Sequence, residues 1–414
     1  MKQVIFKSKK LAFILSALIV FGLASCKKDH ANLVGGTGTP TITSVSTLSK
    51  TLTVPDTTIV TTYDNAGNIT TTKNAGPIPV VAFDSTTVTG NKGNYYVVHG
   101  SNLGSVTSVM FNGVSAYFNS ALVSDNAIFV SIPAEIPTVD QVNKLTVVTL
   151  HGKVDFNFTV LTPPPTISAI SDYNFTAGSQ ITLTGVSFAS VTSVGLVGST
   201  ATATIMPGQT DSQIVLQMPA ADVNRTQLIF TYASGTVTAP IEFVDLDNAY
   251  QIFVKNDFKN SWVDASWSGP SGVSTGASHS GTSSLVATYP AGGWKIEGWA
   301  AWNNPVSFPY DASYKYLTFW VKGGTVDHTL VLVGDKMNGG YGQNTSGAAI
   351  QQIKVPAKVW TYYKIPLGAP SSSDPKLLNF WATGSPSQQL GFFLQGQNGD
   401  VDETMYFDEV AFVK

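Results

Sequence analysis

The chain has 414 residues, too many for one β domain and enough for two to four domains. Charged residues make up 12% of it, half the roughly 25% of ordinary soluble domains. With a net charge of −3 and Arg225 as its one arginine, it lacks the basic footprint that binding nucleic acid requires.

The N-terminus reads as an export signal. Lys2, Lys7, Lys9 and Lys10 precede an apolar run from Leu11 to Leu23 that is too short for a comfortable membrane span. Leu23-Ala24-Ser25-Cys26 follows, and Cys26 is the one cysteine of the chain, so no disulfide framework exists. These residues resemble a bacterial lipobox. The resemblance implies a signal peptide over 1–25, lipidation of Cys26 as the mature N-terminus, and anchorage to a membrane. Lys27-Lys28-Asp29 resembles the charged tag of surface-displayed Bacteroidetes lipoproteins, which implies an outer-membrane site facing the cell exterior. Residues 26–39 are then a lipidated tether, Gly/Thr-rich from residue 30.

From residue 40 the chain repeats itself. Pro40-Thr41-Ile42 recurs as Pro165-Thr166-Ile167, and Ser-Val-Thr-Ser-Val occurs at 105–109 and again at 190–194, five residues after Gly100 and Gly185. His151-Gly152 and Ser234-Gly235 occupy matching hairpin turns. Short alternating strands between turn residues predict two sandwiches, over 40–162 (with an insertion at about 53–93) and 163–246. Both resemble the IPT/TIG family of immunoglobulin-like domains, the first through Gly100-Ser101-Asn102-Leu103 and Val109-Met110-Phe111-Asn112-Gly113. The stiff linker Thr162-Pro163-Pro164-Pro165 suggests spacers that hold a terminal domain away from a membrane. Binding of a protein partner is the other use of such repeats.

After Asp247 the texture changes to aromatic strands. Leu317, Phe319 and Val321 alternate with Thr318, Trp320 and Lys322, so the two sets are expected on opposite faces. Asn256-Asp257-Phe258, Ser280-Gly281-Thr282-Ser283-Ser284-Leu285, Trp360 to Leu367 and Tyr406 to Val410 resemble, in order, the strand motifs of jelly-roll carbohydrate-binding modules. The expected fold is therefore all-β, two immunoglobulin-like sandwiches and a β-jelly roll over 247–414. The set resembles the surface glycan-binding lipoproteins of Bacteroidetes polysaccharide-utilisation systems. That resemblance implies non-catalytic capture of a neutral polysaccharide or oligosaccharide, with an outer-membrane glycan transporter as a partner. It also implies one structural calcium ion between Asp257 and Asp408 and no catalytic cofactor.

All eight tryptophans lie between Trp262 and Trp381. Indole faces beside amides suit hydroxyl-rich, uncharged ligands such as sugars. The candidate platforms are Trp294, Trp299 and Trp302, in a Gly- and Asn-rich stretch, with Trp381 at a rim and Trp320 on the polar side of its strand. Gln395 and Gln397 would supply amides. Trp360 is expected in the core.

Other classes are weaker. A glycosidase needs two opposed carboxylates, and Glu297, Asp311, Asp335 and Asp374 stand in no pattern that commits them. Gly272-Val273-Ser274-Thr275-Gly276 fits a nucleophile motif in letters only, since a loop without strand or helix is expected there. The five histidines are scattered, against a zinc site. An adhesin or structural surface protein is the main alternative.

Overall fold

The structure, a computed structural model, describes residues 36–51, 57–63, 69–75, 80–302, 308–396 and 401–414. The described residues form strands and short 3-10 turns without an α-helix, as expected of an all-β chain. They divide into two compact units, one ending at Pro163 and one beginning at Pro164.

The first unit packs a five-stranded sheet and a four-stranded sheet around Val98, Val109, Phe111, Ile128, Val147 and Phe158. Its hairpin Val106–Phe111 to Val114–Ser115 turns through Asn112 and Gly113, both at positive φ (48° and 82°). A two-residue turn that matches strand twist requires that conformation, which explains the Asn-Gly pair. The insertion contributes a hairpin of Thr57–Tyr63 on Ile69–Ala75.

The second unit holds the other sandwich and the jelly roll. Eight strands of the sandwich enclose Ile181, Leu183, Val194, Ile214, Leu228 and Phe230. The repeated glycines have one physical cause. A Cβ on Gly100 would meet the Thr41 carbonyl oxygen at 1.8 Å, and one on Gly185 would meet that of Thr166 at the same 1.8 Å. In both copies the threonine of Pro-Thr-Ile, which opens the first strand, lies directly on the glycine.

In the jelly roll, a seven-stranded sheet is built around the long strand Glu403–Val413. It faces a five-stranded sheet ordered Val263–Asp264, Trp294–Ala300, Gln389–Gln395, His328–Val333, Gln352–Val355. Leu317, Phe319 and Val321 point into the core between them with Leu330, Leu332, Phe392 and Phe407, as the alternation predicts. Residues 271–274, expected in a loop, form an edge strand against Ser284–Tyr289.

The second sandwich does not hang from the jelly roll as a free spacer. Val244 and Leu246 bury themselves with Val254, Ala411 and Val413. Arg225 Nε donates to the Lys414 carbonyl at 2.9 Å, Lys364 pairs with Glu242, and Tyr173 stacks on Tyr362 at 5.0 Å between ring centres. A dry apolar patch rimmed by such pairs holds the two as one body.

Candidate functional site

Strand Trp294–Ala300 organises the five-stranded sheet. Side chains alternate, so Lys295, Glu297 and Trp299 point inward, while Trp294, Ile296, Gly298 and Ala300 line the outer face. The neighbouring strand pairs Trp294 with Gln395, Ile296 with Phe393 and Gly298 with Gly391, so the outer face continues across Phe393 to Val331 and Val333. The ladder runs on past Ala300, since Ala301 N donates to the Gln388 carbonyl at 2.9 Å, and Trp302 follows, 53% exposed.

Tyr341 covers the middle of this face. Gly298 and Gly391 leave a notch for it; a Cβ on Gly391 would come within 2.9 Å of its ring. Its hydroxyl donates to the Ala265 carbonyl at 2.9 Å, and its ring meets Trp267 edge-on at 5.1 Å. Trp267 is bridged to Ile296 through the backbone, which puts its indole on the same face as Trp294, and it is 43% exposed. The outer face thus presents Trp294 at one end of the strand with Trp267 propped beside it, and exposed Trp302 stands in the turn just past the strand's other end. The seven-residue strand, at about 3.4 Å per residue, separates Trp294 from the turn that holds Trp302.

Beneath it lies a buried polar knot. Lys295 Nζ donates to the Ser268 and Gly269 carbonyls at 3.0 and 3.2 Å and sits 3.6 Å from Glu297 Oε2. Ser266 Oγ lies 2.6 Å from Asp264 Oδ1 and 3.0 Å from Glu297 Oε2. One hydroxyl proton cannot serve both carboxylates, and a proton on Glu297 supplies the second. Burial pushes Glu297 up to about 8, against the pull of Lys295. This carboxyl is therefore structural and sits inside the sandwich. Asp335 has a similar task, accepting from Ser387 Oγ, Gln388 N and Gln389 N at 2.7, 2.9 and 3.0 Å.

Several expected platforms are corrected. Trp299 is fully buried against Phe392 and Phe407, at 5.5 and 5.9 Å between rings. Its neighbours in sequence are small, but its packing partners come from about ninety residues and more further on, which is why the segment looked too poor to bury it. Trp381 is also core, with Nε1 donating to the Phe308 carbonyl at 3.2 Å. Trp320 faces away from its own core as expected, yet the second sandwich covers it. Its Nε1 donates to Asp172 Oδ1 at 3.2 Å and its indole stacks on His279 at 3.7 Å. Trp360, expected in the core, is only half-buried and meets His279 edge-on at 5.6 Å.

Trp294 and Trp302 remain available, the first half-buried. Gln395 is exposed, but its amide nitrogen donates to the Gly293 and Gly396 carbonyls at 3.0 and 3.3 Å, shaping the turn beside Trp294. Gln397 and Cys26 lie outside the described residues.

The donor set at Asp257 and Asp408 does not fit a shared calcium ion. Asp408 is buried, and its oxygens accept from His279 N, Ser280 N and Glu409 N at 2.9, 3.1 and 2.9 Å, an arrangement that holds an anion. Burial, with Glu409 beside it, still pushes this carboxyl up to about 7. Asp257 is exposed and pairs with Lys259 at 3.3 Å. A calcium ion needs several unengaged oxygens converging on it.

Residues 165–244 match the model of the IPT/TIG domain. An IPT/TIG domain-containing protein of Bacteroides ovatus is 28% identical over 167 residues, which are 39% of this chain and 32% of that relative. The match therefore spans about a third of the relative's length. Among solved structures, the surface glycan-binding protein PbSGBP-B of Prevotella bryantii is similar over 92% of this chain and 99% of its own, at 18% identity and a TM-score of 0.52. An SGBP-B from a xyloglucan utilization locus of Bacteroides uniformis covers 78% of this chain and 96% of its own, at 17% identity and a TM-score of 0.40. The likeness to the Prevotella protein shows a shared fold, with immunoglobulin-like and jelly-roll parts in one all-β chain.

Two residues of the outer face are not among the platforms named from sequence. Trp267 stands in Ser-Trp-Ser-Gly-Pro, where the neighbouring Gly269 and Pro270 already signal an exposed turn. Tyr341, in Gly339-Gly340-Tyr341-Gly342, carries the same signal, an aromatic isolated among glycines that cannot bury it.

Proposed function

We propose that this protein is a non-catalytic receptor that captures a neutral glycan at the cell surface, on the outer face of its five-stranded sheet. The observation that carries the reading is the set of accessible indoles, half-buried Trp294 on the strand, exposed Trp302 just past its end and exposed Trp267 beside it, the last propped by Tyr341 in its glycine notch. The ring faces cover the apolar C–H faces of sugars, and an open row suits an extended chain better than a single residue. A weakly charged protein offers no handle for anionic polymers. The fold shared with a surface glycan-binding protein supports the reading, as does the placement of Glu297 and Asp335 in structural roles.

A stacked sugar gains about 2 kcal/mol at roughly 25 cal/mol per Å². Three platforms plus a few net hydrogen bonds, less the cost of association, leave about 5–7 kcal/mol, or binding between high-micromolar and about ten micromolar. Such weak capture suits a receptor held at a surface in many copies, anchored here through lipid on Cys26 and passing its ligand to a glycan transporter in the same membrane. Incubation with glucans, xylans, mannans and xyloglucan tests the assignment. Retention without released product is expected. Product release would convert the protein to an enzyme, and failure to retain any neutral glycan would leave an adhesin.

A further inference from the structure

We propose that Asp172, His279 and Glu409 form a binding site for one divalent transition-metal ion, with zinc as the probe that suits them, in the seam between the second sandwich and the jelly roll. One ligand atom from each of the three lies within 4.8 Å of the others. Asp172 comes from the sandwich and the other two from the jelly roll, so an ion there would bridge the two domains.

The imidazole points to a ligand independently of the carboxyls. His279 is nine-tenths buried, and its Nδ1 has no hydrogen-bond partner although it faces Asp172 Oδ2 at 3.5 Å. Its orientation is fixed by the stack on Trp320 at 3.7 Å. The carboxyls are held just as firmly. Asp172 Oδ1 accepts from Asn174 N at 2.9 Å and from Trp320 Nε1 at 3.2 Å, leaving Oδ2 toward the imidazole. Glu409 Oε2 accepts from Asn174 Nδ2 at 2.8 Å, and that amide's oxygen accepts from Tyr362 at 2.8 Å. These second partners orient the donors as they do around known metal sites.

The donor set selects the ion. One imidazole nitrogen and two carboxylate oxygens suit zinc, whereas calcium takes six to eight oxygens. Tetrahedral zinc at about 2.0–2.1 Å from each donor sets the donors about 3.3 Å apart, close to the Asp172–His279 spacing. A cavity of about 400 Å³ opens onto the three residues beside Asn256, Ser280 and Gly281, with room for water as the fourth ligand. A buried and a largely buried carboxyl beside an imidazole nitrogen that makes no hydrogen bond are a costly arrangement unless a cation or a shared proton joins them.

The test uses full-length protein in detergent, stripped with chelator and titrated with Zn²⁺. One zinc per chain is expected, bound at least tenfold more weakly by both H279Q and E409Q. At a hundredfold excess over Kd the melting temperature should rise by about 5–10 °C, with no such rise in Ca²⁺. Glu409→Gln keeps an oxygen for Asn174, so this variant should fold, and its near-ultraviolet circular dichroism should match the parent. The site is overturned if no equivalent of zinc binds, or if both variants bind as the parent does. Neither outcome bears on glycan capture, which uses the other sheet.

Discussion

The hydroxyl of Tyr341 occupies the space where a side chain on Gly298 would begin, since a Cβ built there would lie 2.1 Å from it. Gly298→Ala therefore cannot leave Tyr341 in place, and the prop under Trp267 moves with it. A stability loss of about 1–3 kcal/mol is expected from overpacking, together with weaker glycan retention. Tyr341→Phe, which removes only the bond to Ala265, should cost about 1 kcal/mol. Affinity gels and thermal melts on both variants check the order.

Five of the eight indoles should separate into two classes. Trp267→Ala, Trp294→Ala and Trp302→Ala are each expected to cost about 1–3 kcal/mol of glycan binding with little change in melting temperature. Trp299→Ala and Trp381→Ala empty core positions and should cost about 3–5 kcal/mol of stability. Calorimetry and melting curves on the same five proteins decide it. Trp299→Ala that melts like the parent would contradict the packing described.

The distinction was only half legible in sequence. Alternation placed Leu317, Phe319 and Val321 inward because a strand's own residues determine its faces. Proximity to Gly and Asn could not place Trp299, because what buries it is Phe392 on the paired strand and Phe407 from the opposite sheet. Trp320 failed differently. Its face was read correctly, but the cover over it comes from Asp172 in another domain, and no local pattern reports a contact between domains. Trp267 shows the reverse: its exposure was readable from Gly269 and Pro270, while its place beside Ile296 needed the fold.

Stability should depend on pH through Glu297. Its carboxyl titrates at about 8 in the fold against an ordinary 4.5, so the folded state holds the proton more tightly. The stabilisation is complete below pH 4.5 and is lost as pH rises through 8. Over that window one proton gives a slope of about 1.4 kcal/mol per pH unit. Asp245 and Asp408, raised to about 6 and about 7, act in the same direction. Glu297→Gln should therefore flatten the fall in melting temperature between pH 5 and 8 without abolishing it. An unchanged slope would mean that Glu297 stays ionised beside Lys295.

Anchorage should depend on one sulfur. Cys26→Ala is expected to move the protein from the membrane fraction to the soluble one, or to leave it unprocessed. Continued membrane partitioning with a cleaved signal would rule out the lipid.

The seam should be energetically coupled. Tyr362→Phe and Asn174→Ala remove the two ends of one hydrogen bond at 2.8 Å, and a double-mutant cycle should give an interaction of about 0.5–3 kcal/mol. A cycle that closes at zero would make the two domains independent.

That seam also sets the grain at which such a protein can be recombined. The outer side of the seven-stranded sheet carries Trp320, Tyr362 and Glu409, all partnered by Asp172, Tyr173 or Asn174 of the preceding sandwich. Grafted alone onto a foreign scaffold, the jelly roll would bring an indole, a phenol and a buried acid into water without their complements. The transplantable module is the pair, cut before residue 164, and any exchange between related chains that kept the binding face but replaced its sandwich would need a matching Asp-Tyr-Asn stretch to survive.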